Sequence, residues 1–334
     1  MGRLFFLLIV VLGLTPGTWL RTPTAPKTDQ RQILSIERLQ VRETDLGAVK
    51  LVGAWQLESP NMHFGGYSGL APVGDGMLLA VTDHGRMLRL EPPGGGTRPT
   101  FWFDQFVQLR NVDKRFADIE GVTRDPATGM LWITCETLNQ VERYDAGLFP
   151  TGSVRPAGMQ SWPSNTGPES IVRLADGRFI VVSEGNPRWF ARTMPAMLFD
   201  GDPVDGARVA PFRFRPPTGY RAVDMALLPD GRVLILLRQM ILGLPPRFES
   251  KLVLADPAEI RAGETWSGRE IVHLTEPVPM DNYEALAIEP AADGSLVLWL
   301  LSDNNLSAFQ RTLLLKLRWR PDAKSAREST RAPS

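Results

Sequence analysis

Five times along the chain, an acidic or small polar residue opens a short apolar strand. A glycine-containing turn follows, and a second strand closes on an acidic or polar residue. The copies run from Ser68 to Asp83, Glu120 to Glu136, Glu169 to Glu184, Asp224 to Arg238, and Glu284 to Asp303. They begin roughly every 50 to 60 residues, the spacing of propellers and related repeat architectures. Asp-Gly occupies the turn at Asp75-Gly76, Asp176-Gly177, Asp230-Gly231 and Asp293-Gly294, and Pro126 to Gly129 fills the same slot in the second copy. Such pairs supply the backbone angles of a tight hairpin.

A third strand follows each hairpin, at Met87–Leu90, Gln140–Tyr144, Ala196–Phe199, Ser250–Leu254 and Thr312–Trp319. A fourth is expected at Thr100–Phe106, weakly near Gln160, at Pro211–Phe214 and at Ile271–Leu274. Four antiparallel strands repeated radially make an all-β propeller. Five copies are legible, and a degenerate sixth blade could draw on residues 33–57 and the long connections after 185 and 239. The strand Val49–Leu57 precedes the first copy and by position completes the last blade, a closure that leaves no open edge. A solenoid is the rival architecture, but solenoid repeats are shorter and lack paired hairpins.

The remaining segments are short. Residues 1–20 carry Arg3, the apolar run Leu4 to Leu14 and a turn-forming end, the pattern of a secretory leader. No good cleavage site follows, so a retained short anchor is the alternative, and contact with a membrane is expected only in that case. Residues 21–32 are a Thr/Pro-rich linker, 33–319 the propeller and 320–334 a polar, disordered tail. The formal net charge is zero, and no basic run provides the field that nucleic acid requires. Cys135 is the single cysteine, which excludes an intrachain disulfide and suits a buried small hydrophobe.

The innermost strand of a propeller blade lines a central channel, so the ends of the repeat unit point to one axis. The opening positions hold Ser68, Glu120, Glu169, Asp224 (shifted by one) and Glu284; the closing positions hold Asp83, Glu136, Glu184, Arg238 and Asp303. Carboxylates gathered in this number repel unless some are protonated or a cation sits among them. Oxygen ligands favour Ca²⁺, with Mg²⁺ second. Asp83, Glu184, Asp303, Asn186 and Asn304 are candidate metal ligands, and Glu120, Glu169 and Glu284 candidate catalytic acids. Arg86, Arg221 and Arg238, with His84, are candidates for holding an anionic substrate. The bland alternative is that the acids bond to backbone amides of neighbouring blades and the arginines pair with the acids. The chain has no metalloprotease helix motif, no phosphate loop and no nucleophile elbow.

Several phrases, in order, carry a resemblance: Tyr67-Ser68-Gly69-Leu70, Val81-Thr82-Asp83-His84-Gly85, Asp118-Ile119-Glu120-Gly121-Val122, Gly167-Pro168-Glu169-Ser170-Ile171, Val182-Ser183-Glu184-Gly185, Asn282-Tyr283-Glu284-Ala285-Leu286 and Leu301-Ser302-Asp303-Asn304. With them the chain resembles the phytase-like family of exported bacterial proteins, described as having esterase-like activity. That resemblance implies a link to Ca²⁺-dependent propeller phytases, although Lys, prominent in those enzymes, is nearly absent here. A weaker similarity is to gluconolactonase-like propellers, in which Glu120, Asn186 and Asp303 would imitate a divalent-ion trio. The expectation is an exported, monomeric hydrolase of a small anionic or ester substrate, a phosphate ester favoured. A lactonase-like metal hydrolase and a non-catalytic envelope propeller that binds a ligand or protein are the alternatives.

Overall fold

The computed structural model describes residues 29–96, 98–106, 118–186, 191–243, 246–305 and 310–321. Three strands, β1 (Ser35–Arg38), β2 (Thr44–Asp45) and β3 (Val49–Glu58), precede the first blade. Blade I is β4 (Tyr67–Gly74), β5 (Met77–Thr82), β6 (Arg86–Leu90) and β7 (Phe101–Gln105). Blade II is β8 (Ile119–Arg124), β9 (Leu131–Cys135), β10 (Gln140–Tyr144) and β11 (Pro150–Val154), and blade III is β12 (Pro168–Arg173), β13 (Phe179–Ser183), β14 (Met194–Phe199) and β15 (Val209–Phe214). Blade IV is β16 (Arg221–Leu227), β17 (Val233–Ile241), β18 (Arg247–Ala255) and β20 (Arg269–Leu274); the intervening β19 (Thr265–Trp266) instead joins blade III in parallel with β15. Blade V is β21 (Tyr283–Pro290), β22 (Leu296–Ser302), β23 (Thr312–Trp319) and β3, with β1 and β2 paired outside β3.

The inner strands meet in the order β4, β8, β12, β16, β21 and back to β4, so the ring closes with five blades. Two of the three segments that a sixth blade could draw on belong to other blades, and the third, after 185, lies partly outside the described residues. Residues 35–58 widen blade V, and the stretch after 239 extends the β17–β18 hairpin, paired from Val233↔Ala255 out to Ile241↔Arg247. The fourth strand of blade II is β11, and the region near Gln160 holds only a 3₁₀ turn, Ala157–Met159. The reason is burial: β11 is an outer strand with most side chains exposed, so it lacks apolar alternation, and it tolerates Pro150 because an edge strand can spare an amide donor.

The core is divided. Five apolar clusters occur, one at each blade interface, because successive side chains on a strand face opposite neighbours. Even-numbered residues of β17 (Leu234, Leu236) pack toward blade V, while Val233, Ile235 and Leu237 pack toward blade III. Cys135 is buried at the interface of blades I and II, as a small hydrophobe would be. No helix among the described residues is long and apolar enough to cross a membrane. The leader at 1–20 lies outside the described residues, as does the tail beyond 321.

Every inner strand begins with a β-bulge. The extra residue is Ser68, Glu120, Glu169, Val223 or Glu284. A bulge re-aims a side chain out of the alternating pattern; in blades II, III and V it brings Glu120, Glu169 and Glu284 within reach of one another's charge, while Ser68 donates to the Ile119 carbonyl and Val223 lies in an apolar cluster. In blade IV that position belongs to Val223, not Asp224. The next position faces the neighbouring inner strand. At Gly121 a Cβ would come 2.7 Å from the Glu169 carbonyl oxygen, so the strands approach too closely for a side chain. At Asp224 the carboxylate fills the space instead, accepting from Met225 N at 2.8 Å and Leu286 N at 2.7 Å. Asp224 is therefore a rivet between blades IV and V, which corrects its placement on the channel. Asp224→Ala leaves two buried amides without partners and is expected to cost about 2–4 kcal/mol of stability. Asp224→Asn, which keeps one acceptor, should cost less. Urea unfolding measures both, and an alanine variant as stable as the parent would remove the rivet from the account.

Candidate functional site

The bulges and the ends of the second strands bring Asp83, Glu120, Glu136, Glu169, Glu184, Glu284 and Asp303 around one space. Glu120 of blade II feels the charges of Glu169, Glu136, Glu284 and Asp83, contributed by four different blades or strand ends, which places it near the axis. Burial first, and these four neighbours second, push its carboxyl well above the usual range. Glu169 is raised in the same way by burial and by Glu184, with Arg238 pulling the other way. Asp303 is raised by burial and by Glu284 and Asp83, against a hydrogen bond from Asn305 N at 2.9 Å and the charge of Arg238.

The ring has two unlike halves. Toward blades IV and V it is neutralised by Arg238. The Arg238 Nη1 donates to Glu284 Oε1 and, at 2.9 Å, to Asn282 Oδ1, and Nη2 donates to Glu184 Oε1 at 2.9 Å. Asn282 Nδ2 donates to Glu284 Oε1 at 2.7 Å, closing the network. Burial works against the guanidinium's charge, but Glu284, Glu184 and Glu169 outweigh it and hold the charge more firmly than usual. Glu284 is left with a modestly raised pKa, burial exceeding the help of Arg238 and Asn282.

Toward blades II and III acids crowd together, and among the described residues Arg238 and Arg221 reach this side at Glu184. The carboxylates of Asp118, Glu120 and Glu136 each offer an oxygen within 4.8 Å of the others, and so do those of Glu136, Glu169 and Glu184. Two like charges about 5 Å apart repel by roughly 3 kcal/mol at an effective dielectric of about 20. Three mutual pairs are costly to bury, and protons or a cation in either triad would lower that cost beyond what Arg238 and Arg221 do at Glu184. The donor chemistry fits a hard divalent ion: oxygens on opposite sides of a Ca²⁺ lie about 4.6–5.2 Å apart. Gly167 N donates to Glu136 Oε1 at 3.1 Å and Thr137 Oγ1 donates to Asp118 Oδ2, so both outer members are oriented by the protein.

The other candidates are spread around this centre. Asp83 holds His84 through Oδ1 and Nδ1. Arg86 donates to the Met62 carbonyl and is partly buried beside Asp83. Arg221 is the exposed arginine, its side chain 48% accessible against 18% for Arg238, and its Nη1 reaches Glu184 Oε2 at 3.3 Å. Asn186 Nδ2 donates to Thr193 O at 2.6 Å, and Asn304 lies partly buried next to Asp303. Two residues went unselected at the level of sequence, Asp118 and Asn282. Each stands two before a bulge glutamate, in Asp118-Ile119-Glu120 and Asn282-Tyr283-Glu284. That polar-x-Glu spacing was the available signal.

With this geometry in hand, comparison with known proteins is direct. The sequence matches the Phytase-like family, described as "Esterase-like activity of phytase", over residues 62–306. The chain belongs to that family. The matched span covers all five hairpins and every residue of the acid ring. No curated protein sequence matches this phytase-like chain. Among solved structures, it is similar to a luciferin-regenerating enzyme (10% identity, TM-score 0.44, 89% of this chain and 94% of that one). It is also similar to the PQQ-bound aldose sugar dehydrogenase of Streptomyces coelicolor (12%, 0.42, 86% and 99%). Hydrazine synthase of Kuenenia stuttgartiensis is similar at 12% and 0.39, over 72% of this phytase-like chain and 57% of that one.

The raised carboxyls predict how a cation-free sample behaves. Glu120, Glu169 and Asp303 bind protons more tightly folded than unfolded. Their contribution is complete below the unfolded carboxylate range, near pH 4, and is lost as pH rises through the elevated folded values. In chelator, the melting temperature should therefore fall between about pH 5 and pH 8. Ca²⁺ should raise it most at the alkaline end. A melting temperature that climbs across that window in chelator would contradict the protonated ring.

Proposed function

We propose that this protein is a metal-assisted ester hydrolase, with a phosphate ester as the favoured substrate and Ca²⁺ as the favoured ion. The observation that carries the reading is the pair of all-acid triads sharing Glu136. Membership of a family described by esterase-like activity supports it. Asp118, Glu136 and Glu184 would hold the cation, which leaves Glu120 and Glu169 of the same triads for the proton. When bound, the ion supplies Lewis acidity and the positive charge without which an anionic ester could not enter a ring this acidic.

The chain's own groups divide the remaining work. Glu120, buried and crowded by Glu169, Glu136, Glu284 and Asp83, holds a proton that can pass to the leaving oxygen. Glu169, softened by Arg238, is the second proton carrier. Glu284 is clamped by Arg238 and Asn282 and fixes the wall against which substrate sits. Arg238 is already engaged with three side chains, so the anion-binding role falls to the exposed Arg221, whose side chain pairs with Glu184 among the described residues. We also propose that the protein works outside the cytoplasm, on the strength of the leader-like start, Arg3 to Leu14. The test is a panel of phosphate and carboxylate esters assayed with Ca²⁺, with Mg²⁺ and with chelator. Turnover of phosphate esters that chelator abolishes supports the reading, and turnover indifferent to chelator overturns the metal mechanism.

A further inference from the structure

The clamp residue Arg238 shares a face of the β17–β18 hairpin with an apolar ledge. Side chains alternate along a strand, so Arg238 and Met240 project on the side that faces blade V, and the exposed Leu242 follows directly after the strand's end. The register pairs Arg238 with Ser250 and Met240 with Phe248, which places Phe248 on that face too. Phe248 lies under the Arg238 guanidinium, 5.9 Å from its carbon to the ring centroid, and shares a small crevice with Met280. Met280 stands two residues before Asn282, which is hydrogen-bonded to Arg238.

Three of the seven large hydrophobic side chains exposed among the described residues are therefore gathered here: Met240 at 55%, Leu242 at 86% and Met280 at 36%. They lie directly beside the ionic wall of the acid ring. A hairpin that runs past the end of its blade only to hold methionine and leucine in water gains nothing for the fold. Unbranched methionine side chains suit a surface that must fit a flexible apolar chain.

We infer that the substrate is an amphiphilic ester, whose polar ester group enters the acid ring while its alkyl chain rests on Met240, Leu242 and Met280 above Phe248. The inference rests on the hydrolase reading and adds the substrate's class. It predicts a chain-length effect that short, fully polar esters cannot reveal. A fully buried methylene is worth about 0.8 kcal/mol. An open ledge covers one side of the chain, so kcat/KM should rise roughly twofold per added methylene.

The experiment uses the full chain with Ca²⁺ and a series of alkyl phosphates from ethyl to decyl. The parent protein should show rising kcat/KM through octyl. The double variant Met240→Ser/Leu242→Ser should lose that rise while turning over ethyl phosphate as the parent does. A chain-length dependence that persists in the variant, or is absent in the parent, overturns the ledge. Calorimetric binding of non-hydrolysable alkylphosphonates of the same lengths separates the two readings. A length-dependent Kd that the double variant flattens supports the ledge even where no phosphate is hydrolysed, in which case the hydrolase reading alone fails. A third outcome also overturns the assignment: the substitutions weaken binding to phosphatidylglycerol vesicles and leave the alkyl series unchanged, making the ledge a bilayer contact.

Discussion

Glu136→Gln is expected to lower turnover at least about a hundredfold and to strip the bound cation, while leaving the cation-free protein as stable as the parent or more so. Glu136 is the one carboxylate common to both triads. Its loss removes a charged ligand from each, whereas Glu184→Gln touches only one. Glutamine keeps the shape and an acceptor for the Gly167 amide, so the local backbone has no reason to move. It also removes a negative charge that crowds Glu120 and Glu169. Relief of that repulsion favours the folded apo protein. The signature is thus a split: metal analysis and turnover collapse, the melting temperature in chelator holds or rises, and the Ca²⁺-dependent gain in melting temperature disappears. A variant that retains its metal and its turnover would show that the triads are structural acids.

Arg238→Met should produce the opposite pattern, a loss of stability of about 3–5 kcal/mol near pH 8 and a smaller loss near pH 5. The side chain volume is largely kept, but Glu184 and Glu284 lose their shared cation in a site where Arg238 is less than one-fifth accessible. Removing one partner of a buried ion pair leaves the other's charge uncompensated. Burial already raises the carboxyl of Glu284, and Arg238 is what holds it down. Without Arg238 its folded pKa climbs further, so the variant takes up a proton on folding and grows less stable as pH rises through that value. Arg238→Lys should restore little, because one ammonium cannot satisfy Glu184, Glu284 and Asn282 with a planar fork. Urea unfolding at the two pH values decides the matter. Equal losses at both would mean that Arg238 contributes packing against Phe248 rather than charge.

Much of the ring is legible in the sequence. The hairpins from Ser68, Glu120, Glu169 and Glu284 appear as written, because strand alternation and Asp-Gly turns are local signals. The third strands Gln140–Tyr144 and Thr312–Trp319 match residue for residue. The failures share a cause. Strand β11 was misplaced to the neighbourhood of Gln160 because an exposed outer strand has no apolar rhythm to read. Asp224 was aligned with the channel glutamates because a repeat read along the chain cannot show which residue is the bulge. The pairing of Ala222 with Leu237 and of Asp224 with Leu236 sets Val223 aside and turns Asp224 toward Leu286. The unequal halves of the acid ring were only hinted at by the lone Arg238 among closing acids.

By itself, the sequence determined the repeat, the all-β architecture, the closure by Val49–Leu57 and the convergence of acids on an axis, because each follows from periodicity and turn chemistry within a few dozen residues. The tertiary structure decided the number of blades, the residue each bulge aims inward, and the partners of Arg238. It also decided which carboxylates come within 4.8 Å of one another. Those depend on contacts between blades, such as Glu136 with Glu184 and, 46 residues apart in the chain, Arg238 with Glu284, whose distances are fixed only when the ring closes.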